Sequence, residues 1–410
     1  MNGDARVTAC RSCGGGLALL LDLGSSPLAN RLLPGDGVVV DEPRYPLELA
    51  RCTTCSLLQL TLSVAPDLLF RDYVYFSSNS DAMVEHARAL SERLTQERQL
   101  GASSCVVEVA SNDGYLLRHY LERGVRVLGI DPAENVARVA KERFGIDTVV
   151  DFFGLELAAS LRAQGTRADV LHAHNVVAHV PDINGFVAGV AAVLADDGVA
   201  VIEVPYALDM LDACEFDTIY HEHIFYFALT PMLPLFARHG LAVVDVERIA
   251  IHGGSLRLFV ARAGAVVAAS VAALRDQEEQ RGINEAALYA GFAARVKTLC
   301  SDLRALIEQE RKRGPVVAYG ASAKGTTLMH AAGIGAEQIA WVVDRSVVKQ
   351  GRRTPGTQLR IFPTEKLLED MPPAVLLLTW NFADEILQQQ AEYRRRGGRF
   401  ILPVPVPRVL

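Results

Sequence analysis

The stretch VVEVASNDGYLL at 106–117 decides the fold: an apolar run of strand length, a turn of small polar residues, and the opening of an amphipathic helix. In a parallel α/β sheet such a turn lies at the carboxyl end of a strand, where ligands bind. Glu108, Ser111, Asn112 and Asp113 bring acceptors there, and Gly114 exposes backbone. The turn is not a dinucleotide fingerprint, because Gly-x-Gly-x-x-Gly is absent and a pyrophosphate would meet Asp113. A carboxylate in that place suits a cationic amino-acid ligand with a free ammonium group.

Working outward, short apolar runs alternate with amphipathic segments, and strands are expected at 105–110, 126–130, 147–150, 169–173 and 198–204. Asp131 ends the second run in VLGIDP, where it can accept hydrogen bonds from ribose hydroxyls. Asp151 and Phe152 follow the third and can take an adenine amino group and ring face. An isolated Asp there is more often a cap or turn residue. Three acidic positions at successive strand ends favour S-adenosylmethionine instead. Runs at 242–248 and 255–262 read as an antiparallel hairpin, the strand plan associated with class I methyltransferases. Residues 266–313 have helical spacing up to Gly314-Pro315, giving a long connecting helix or helix pair. A second alternation, at 316–320, 340–344, 374–380 and 399–405, predicts a second doubly wound, Rossmann-like α/β domain.

Before residue 70, Pro27, Pro34, Pro43, Pro46 and Pro66 interrupt any long helix, and a small loop-rich domain is expected. It carries Cys10-x-x-Cys13 and Cys52-x-x-Cys55, two knuckles whose four thiolates suit tetrahedral zinc in a closed, structural site. A redox role is weaker, since neither pair follows a strand and opens a helix. The expected division is a zinc head at 1–70, a cofactor domain at 71–265, and connecting helices with a C-terminal domain at 266–410.

With 410 residues, half of them apolar and 22% charged, the chain reads as a multidomain globular protein. A net charge of −7 gives no general attraction to nucleic acid or anionic lipid. No basic-then-apolar leader and no run of about 18 apolar residues is present, so a cytoplasmic protein is expected.

Two segments follow strands four and five. His174-Asn175-Val176-Val177-Ala178-His179 places Asn175 and His179 near a bound cofactor. EFDTIYHEHIFYF at 215–227 packs Tyr220, His221, Glu222 and His223 beside Phe225, Tyr226 and Phe227. His-x-His with an acid invites a metal, but the usual helical zinc pair at i and i+4 is absent. Acid–base chemistry explains the cluster better: an imidazole removes a proton, a carboxylate fixes its tautomer, and a phenol holds oxyanion charge. The bland alternative is a set of surface polar residues after a strand. At 319–325, YGASAKG places Ser322 and Lys324 at a helix N-terminus, which favours phosphate oxygens, although a solvated lysine reads equally well.

The CxxC pairs, DYVYFSSNS at 72–80, EVASNDG at 108–114, HNVVAHV at 174–180, EFDTIYHEHIFYF, HGGSLR at 252–257 and YGASAKGTT at 319–327 run through essentially the whole chain. Together they resemble the sugar C-methyltransferases of antibiotic deoxysugar pathways, nearest to the thymidine-diphosphate 3-amino-4-keto-trideoxyglucose 3-C-methyltransferase type. The resemblance implies that His223 is the base for the proton on carbon 3, with Tyr220 and Glu222 in the same site. It carries over His179 and Tyr75, with Tyr73 two residues away. A thymidine-diphosphate (dTDP) sugar is expected in the cleft between the cofactor and C-terminal domains, near Ser77, Ser78, Asn79, Tyr226, Ser322 and Lys324. Competing readings are methylation at C5, C2, oxygen or nitrogen of a related sugar nucleotide, and a non-catalytic sugar-nucleotide-binding protein.

Overall fold

Each β-branched run between residues 105 and 262 becomes a strand because the sheet it joins is covered on both faces, so near-continuous apolar sequence is tolerated. The computed structural model describes residues 5–35, 37, 40–71, 76–251 and 253–410. Among the described residues a seven-stranded sheet runs in the order Leu241–Ile249, Ser255–Arg262, Leu194–Pro205, Ala168–His174, Cys105–Val109, Arg126–Ile130, Thr148–Val149. The five central and outer strands are parallel, and the last strand in sequence inserts antiparallel between the fifth and sixth. This is the class I S-adenosylmethionine methyltransferase plan, with the expected strands and hairpin in place; His252, in the hairpin connection, lies outside the described residues.

The head departs from the loop-rich expectation. Leu17–Ser26, Tyr45–Cys52 and Leu58–Leu60 form an antiparallel sheet, completed by Phe225–Tyr226 from the segment after strand five. The prolines do not prevent this, because Pro27, Pro34 and Pro43 fall between strands and Pro46 sits second in its strand. Phe225 pairs with Gln59 and Tyr226 with Leu58, so one edge of the head is closed by the segment that follows strand five of the central sheet. Phe225 and Phe227 are 1% and 0% exposed, and burying each is worth roughly 1.5–3 kcal/mol, which anchors the segment.

The connecting region is three helices, Ala269–Gln280, Ala286–Ala290 and Phe292–Arg311, rather than one or two. Gly282, at φ +75°, interrupts the first. Beyond them a second sheet runs Ile361–Phe362, Ile339–Val343, Val316–Tyr319, Ala374–Leu377, Arg399–Leu402, Arg408–Val409, parallel apart from the last pair. One apolar cluster, including Leu49, Val204, Phe227 and Leu328, continues from the head through the central sheet to the C-terminal helix Ala323–Ala332. No described helix is long and apolar enough to cross a membrane.

Candidate active site

The turn after Cys105–Val109 is built on residues that tolerate left-handed backbone at a cost: Ala110 and Asn112 have φ of +56° and +50°. Strain of this kind gathers at functional sites, where surrounding contacts hold it. The Asn112 amide donates to Asp131 Oδ2 at 2.9 Å, and the Ala133 amide to Asp131 Oδ1 at 2.9 Å. Asp131 is thus locked at the end of its strand. A side chain at Gly114 would meet Ile146 Cδ1 at 2.7 Å, so the turn needs glycine there.

Glu108 Oε2, Ser111 Oγ, Asp113 Oδ1 and Asn175 Oδ1 are buried without a hydrogen-bond partner among the described residues. Buried acceptors are normally satisfied. Burial, with Asp131 and Asp113 nearby, holds the Glu108 carboxyl well above the usual carboxylate range, and burial also raises Asp131. Two carboxyls with an unmet oxygen, Glu108 and Asp113, crowded by Asp131, fit a cationic ligand bearing an ammonium group. Asn175, at φ +54°, follows the end of Ala168–His174, the strand paired beside Cys105–Val109. Asp151 is exposed, its Oδ1 taking the Phe152 amide at 2.8 Å, and the Arg71 guanidinium lies 5.0 Å from the Phe152 ring centre.

Histidine and tyrosine side chains gather at the next two strand ends. His223 Nδ1 is 2.9 Å from the Thr218 carbonyl oxygen, to which it must donate. The other ring nitrogen, Nε2, therefore carries the lone pair, and the Tyr220 hydroxyl donates to it at 2.8 Å. His179 Nδ1 likewise donates to the Glu222 carbonyl at 2.6 Å, and its ring centre is 5.0 Å from that of His223. Burial lowers the His179 pKa, with backbone hydrogen bonds to Glu222 and Asn175 acting the other way. Tyr220, His223 and His179 are half-buried while the residues around them are buried, leaving these three reachable.

Several expectations change on inspection. The Glu222 carboxylate does not fix an imidazole: both its oxygens accept from Asn30 Nδ2 of the head, at 2.8 and 2.9 Å, and its peptide carbonyl orients His179. Tyr226 is buried, and its hydroxyl donates to the Thr218 carbonyl at 3.4 Å, which places it behind His223. The Ser77 and Ser78 amides donate to Asn112 Oδ1 at 2.9 Å and Asp113 Oδ2 at 3.3 Å, so the Ser77–Asn79 turn docks on the cofactor loop. Asn79 is exposed. Ser322 caps its helix, accepting from the Gly325 amide at 3.0 Å and donating to the Leu378 carbonyl. Lys324 Nζ is 3.8 Å from Glu215 and 4.8 Å from the Trp380 ring centre, and Trp380 Nε1 donates to Asp217 at 2.6 Å. Lys324 thus lies at the start of the Ala323–Ala332 helix beside Glu215, whose carboxyl burial pushes up to about 7. Tyr75 and Tyr73 lie outside the described residues.

Residues missed in the sequence are Asn30, Thr218, Asp217 and Trp380, together with a buried chain beside the cofactor end. There Tyr120 donates to His172, His172 pairs with His174, and Glu203 meets His86 at 3.0 Å and Arg257 at 2.7 Å. Burial would raise the Glu203 carboxyl, but His174, His86 and Arg257 together hold it well below its usual range. The polar side chains at alternate positions of two otherwise apolar strands, His172 and His174 in one and Glu203 in the other, were the available signal.

Burial pushes the Glu222 carboxyl up to about 7, with the Asn30 hydrogen bond acting the other way. The folded state holds this proton more tightly than the unfolded chain, near 4.5. Its contribution to stability is full below about pH 4.5 and is lost as pH rises through about 7. Glu222→Gln should remove that loss, seen as a flatter pH dependence of denaturant unfolding across this window. An unchanged slope would place the titration elsewhere.

The four knuckle cysteines converge. Their Sγ atoms lie within 4.8 Å of one another, with Cys10 to Cys55 at 3.8 Å and Cys13 to Cys52 at 3.5 Å. A tetrahedron with Zn–S near 2.3 Å needs edges of about 3.8 Å, so the set fits zinc with no open position. The Thr54 and Cys55 amides point at Cys52 Sγ at 3.4 Å, which favours thiolate charge. A Cβ on Gly15 would meet Thr54 Oγ1 at 2.4 Å, so this knuckle also requires glycine.

Comparison with known proteins matches all three parts. Residues 10–70 match a family profile for a zinc binding domain, 83–246 a methyltransferase domain, and 250–405 a C-methyltransferase C-terminal domain. The chain is 38% identical over 408 residues to the C-methyltransferase NovU of Streptomyces niveus, covering 98% of this chain and 97% of that protein. Solved structures similar to part of the chain include magnesium protoporphyrin IX methyltransferase (ChlM) of Synechocystis PCC 6803 with bound SAH, at 13% identity and TM-score 0.36. That match covers 44% of this chain and 83% of the other. The CcbJ methyltransferase of Streptomyces caelestis matches at 13% identity and TM-score 0.34, over 43% and 90%.

Proposed function

The chain belongs to the S-adenosylmethionine-dependent C-methyltransferase family, and from that membership we propose that it methylates carbon 3 of a dTDP-linked 4-keto-deoxysugar, with a 3-amino sugar as the preferred acceptor. The observation that carries this reading is the Tyr220–His223 pair, an imidazole whose Nδ1 is held on the Thr218 carbonyl and whose Nε2 shares a hydrogen bond with the Tyr220 hydroxyl at 2.8 Å. A proton on C3 and an oxygen on C4 sit on adjacent carbons, so a base and a hydrogen-bond donor this close can serve both.

S-adenosylmethionine supplies an electrophilic methyl group on sulfonium sulfur. His223 Nε2 takes the proton from C3, made acidic by the neighbouring carbonyl, while Nδ1–H stays on the Thr218 carbonyl. Tyr220 turns its hydroxyl from His223 to the C4 oxygen and stabilises the enolate charge. With its proton on His223 and the C4 oxygen held by Tyr220, C3 would be the nucleophile for the methyl group that the bound donor would supply. Glu108, Ser111, Asn112, Asp113 and Asn175 hold the amino-acid end of the donor, Asp131 its ribose, and Asp151 and Phe152 its adenine. Ser77, Ser78 and Asn79 cover the cofactor loop and face the acceptor from there. A zinc head at 1–70, a cofactor domain at 71–265 and the remainder at 266–410 are the working units, and a cytoplasmic setting keeps the zinc thiols reduced.

Asp131→Ala should weaken S-adenosylmethionine and its demethylated product alike, by roughly 1.5–3 kcal/mol, the scale of charged hydrogen bonds. Calorimetric titration of both ligands checks this, and unchanged affinities would remove Asp131 from the site. The function itself is tested by incubating the enzyme and the demethylated cofactor with a 4-keto sugar nucleotide in deuterated water. Exchange at C3 supports the reading; exchange confined to C5 would move the reaction to that carbon.

A further inference from the structure

The catalytic segment is held from outside its own sheet, and one of the holders is in the head. Asn30 Nδ2 donates to both oxygens of the Glu222 carboxylate, at 2.8 and 2.9 Å. Glu222 is 6% exposed, so its carboxylate depends on this amide. Asn30 is fixed in turn. On one side the Ala29 carbonyl accepts from Thr326 Oγ1 of the C-terminal helix at 3.1 Å; on the other Leu33 and Arg353 exchange backbone hydrogen bonds at 2.9 and 3.0 Å. The residue therefore extends from a short loop clamped at both ends.

What Glu222 does for the site passes through its peptide. Its carbonyl accepts His179 Nδ1–H at 2.6 Å, and the next residue is His223. We propose that Asn30 is a positioning residue of the active site: by holding the Glu222 carboxylate it fixes the Glu222 peptide, and so the tautomer and direction of the His179 ring beside His223. The head then contributes to catalysis through a side chain as well as through its sheet. This inference rests on the methyltransferase reading above for its kinetic arm only.

A purely structural role for Asn30 would lower stability without touching the histidine. A substrate-binding role would raise KM, because Asn30 is an exposed residue. Positioning predicts something else: in the full-length, zinc-loaded protein Asn30→Ala should lower kcat on the order of 10- to 100-fold, the scale of a misplaced catalytic group. The acceptor KM and the affinity for the demethylated cofactor should stay within about twofold. Since Asn30 acts through Glu222, the Asn30→Ala/Glu222→Ala double variant should be no slower than Glu222→Ala alone.

A second readout needs no turnover. With 15N-labelled histidine, the His179 ring, assigned with a His179→Gln variant, should report a single Nδ1–H tautomer in the wild type and a mixture in Asn30→Ala. An unaltered His179 signal in a folded Asn30→Ala protein would overturn the proposal, as would effects that multiply in the double variant. If the wild type methylates no sugar nucleotide, the proposed function fails while the histidine spectrum still decides this inference. If Glu222→Ala does not fold, the spectrum of Asn30→Ala decides alone.

Discussion

His223→Asn should bind the cofactor and sugar nucleotide as the wild type does, yet lose methyl transfer by roughly 10²–10⁴-fold, the usual contribution of a positioned general base. Asparagine can keep the amide hydrogen bond to the Thr218 carbonyl that His223 Nδ1 makes, so the loop should hold its shape. It has no lone pair basic enough to accept the C3 proton. The same variant should fail to exchange that proton with deuterated solvent, which separates deprotonation from the later transfer. Wild-type rates of exchange and methylation would assign the proton to another group. The structure makes His179 the first alternative, since its free nitrogen is also an acceptor and its ring centre is 5.0 Å away.

Replacing Cys10 and Cys52 by serine together should abolish binding of one zinc per chain and unfold the head. Structural zinc contributes about 10–16 kcal/mol of apparent binding free energy in small zinc modules, comparable with the whole stability of a domain. The consequence extends past the head. Leu58–Leu60 directly follows the second knuckle and pairs with Phe225–Tyr226, and the Leu60 amide donates to the Ile224 carbonyl at 2.8 Å. Losing the metal should therefore loosen the segment carrying Tyr220 and His223 and stop turnover, while the demethylated cofactor still binds the seven-stranded sheet. Metal analysis, thermal unfolding and calorimetric titration report the three effects. Unaltered metal content or stability would refute a structural zinc site.

The central sheet was legible because its strands are long, apolar and punctuated, with the acidic positions at their ends. The pairs of cysteines were legible from spacing alone. The strands of the head were not, since prolines within and between short runs read as loop, and its fourth strand comes from residues 225–226, far away in the chain. The roles of individual polar residues were also hidden. Glu222 looked like an orienting acid because it lies between two histidines, but it sits in a turn closed by the His223 amide on the Tyr220 carbonyl at 2.8 Å, and its carboxylate meets Asn30, 192 positions away. The approach of Lys324 to Glu215, 109 positions earlier, was equally hidden. Such long-range polar pairing leaves no periodic trace in a sequence.

Formation of the new bond at carbon 3 is tested by turnover of a dTDP-linked 3-amino-4-keto-deoxysugar with S-adenosylmethionine carrying a 13C-labelled methyl, followed by NMR of the product. The account predicts a labelled methyl on a carbon that bears no proton, coupled through bonds to the C2 protons and adjacent to the C4 carbonyl. A labelled methyl on C5, on oxygen or on nitrogen would contradict it.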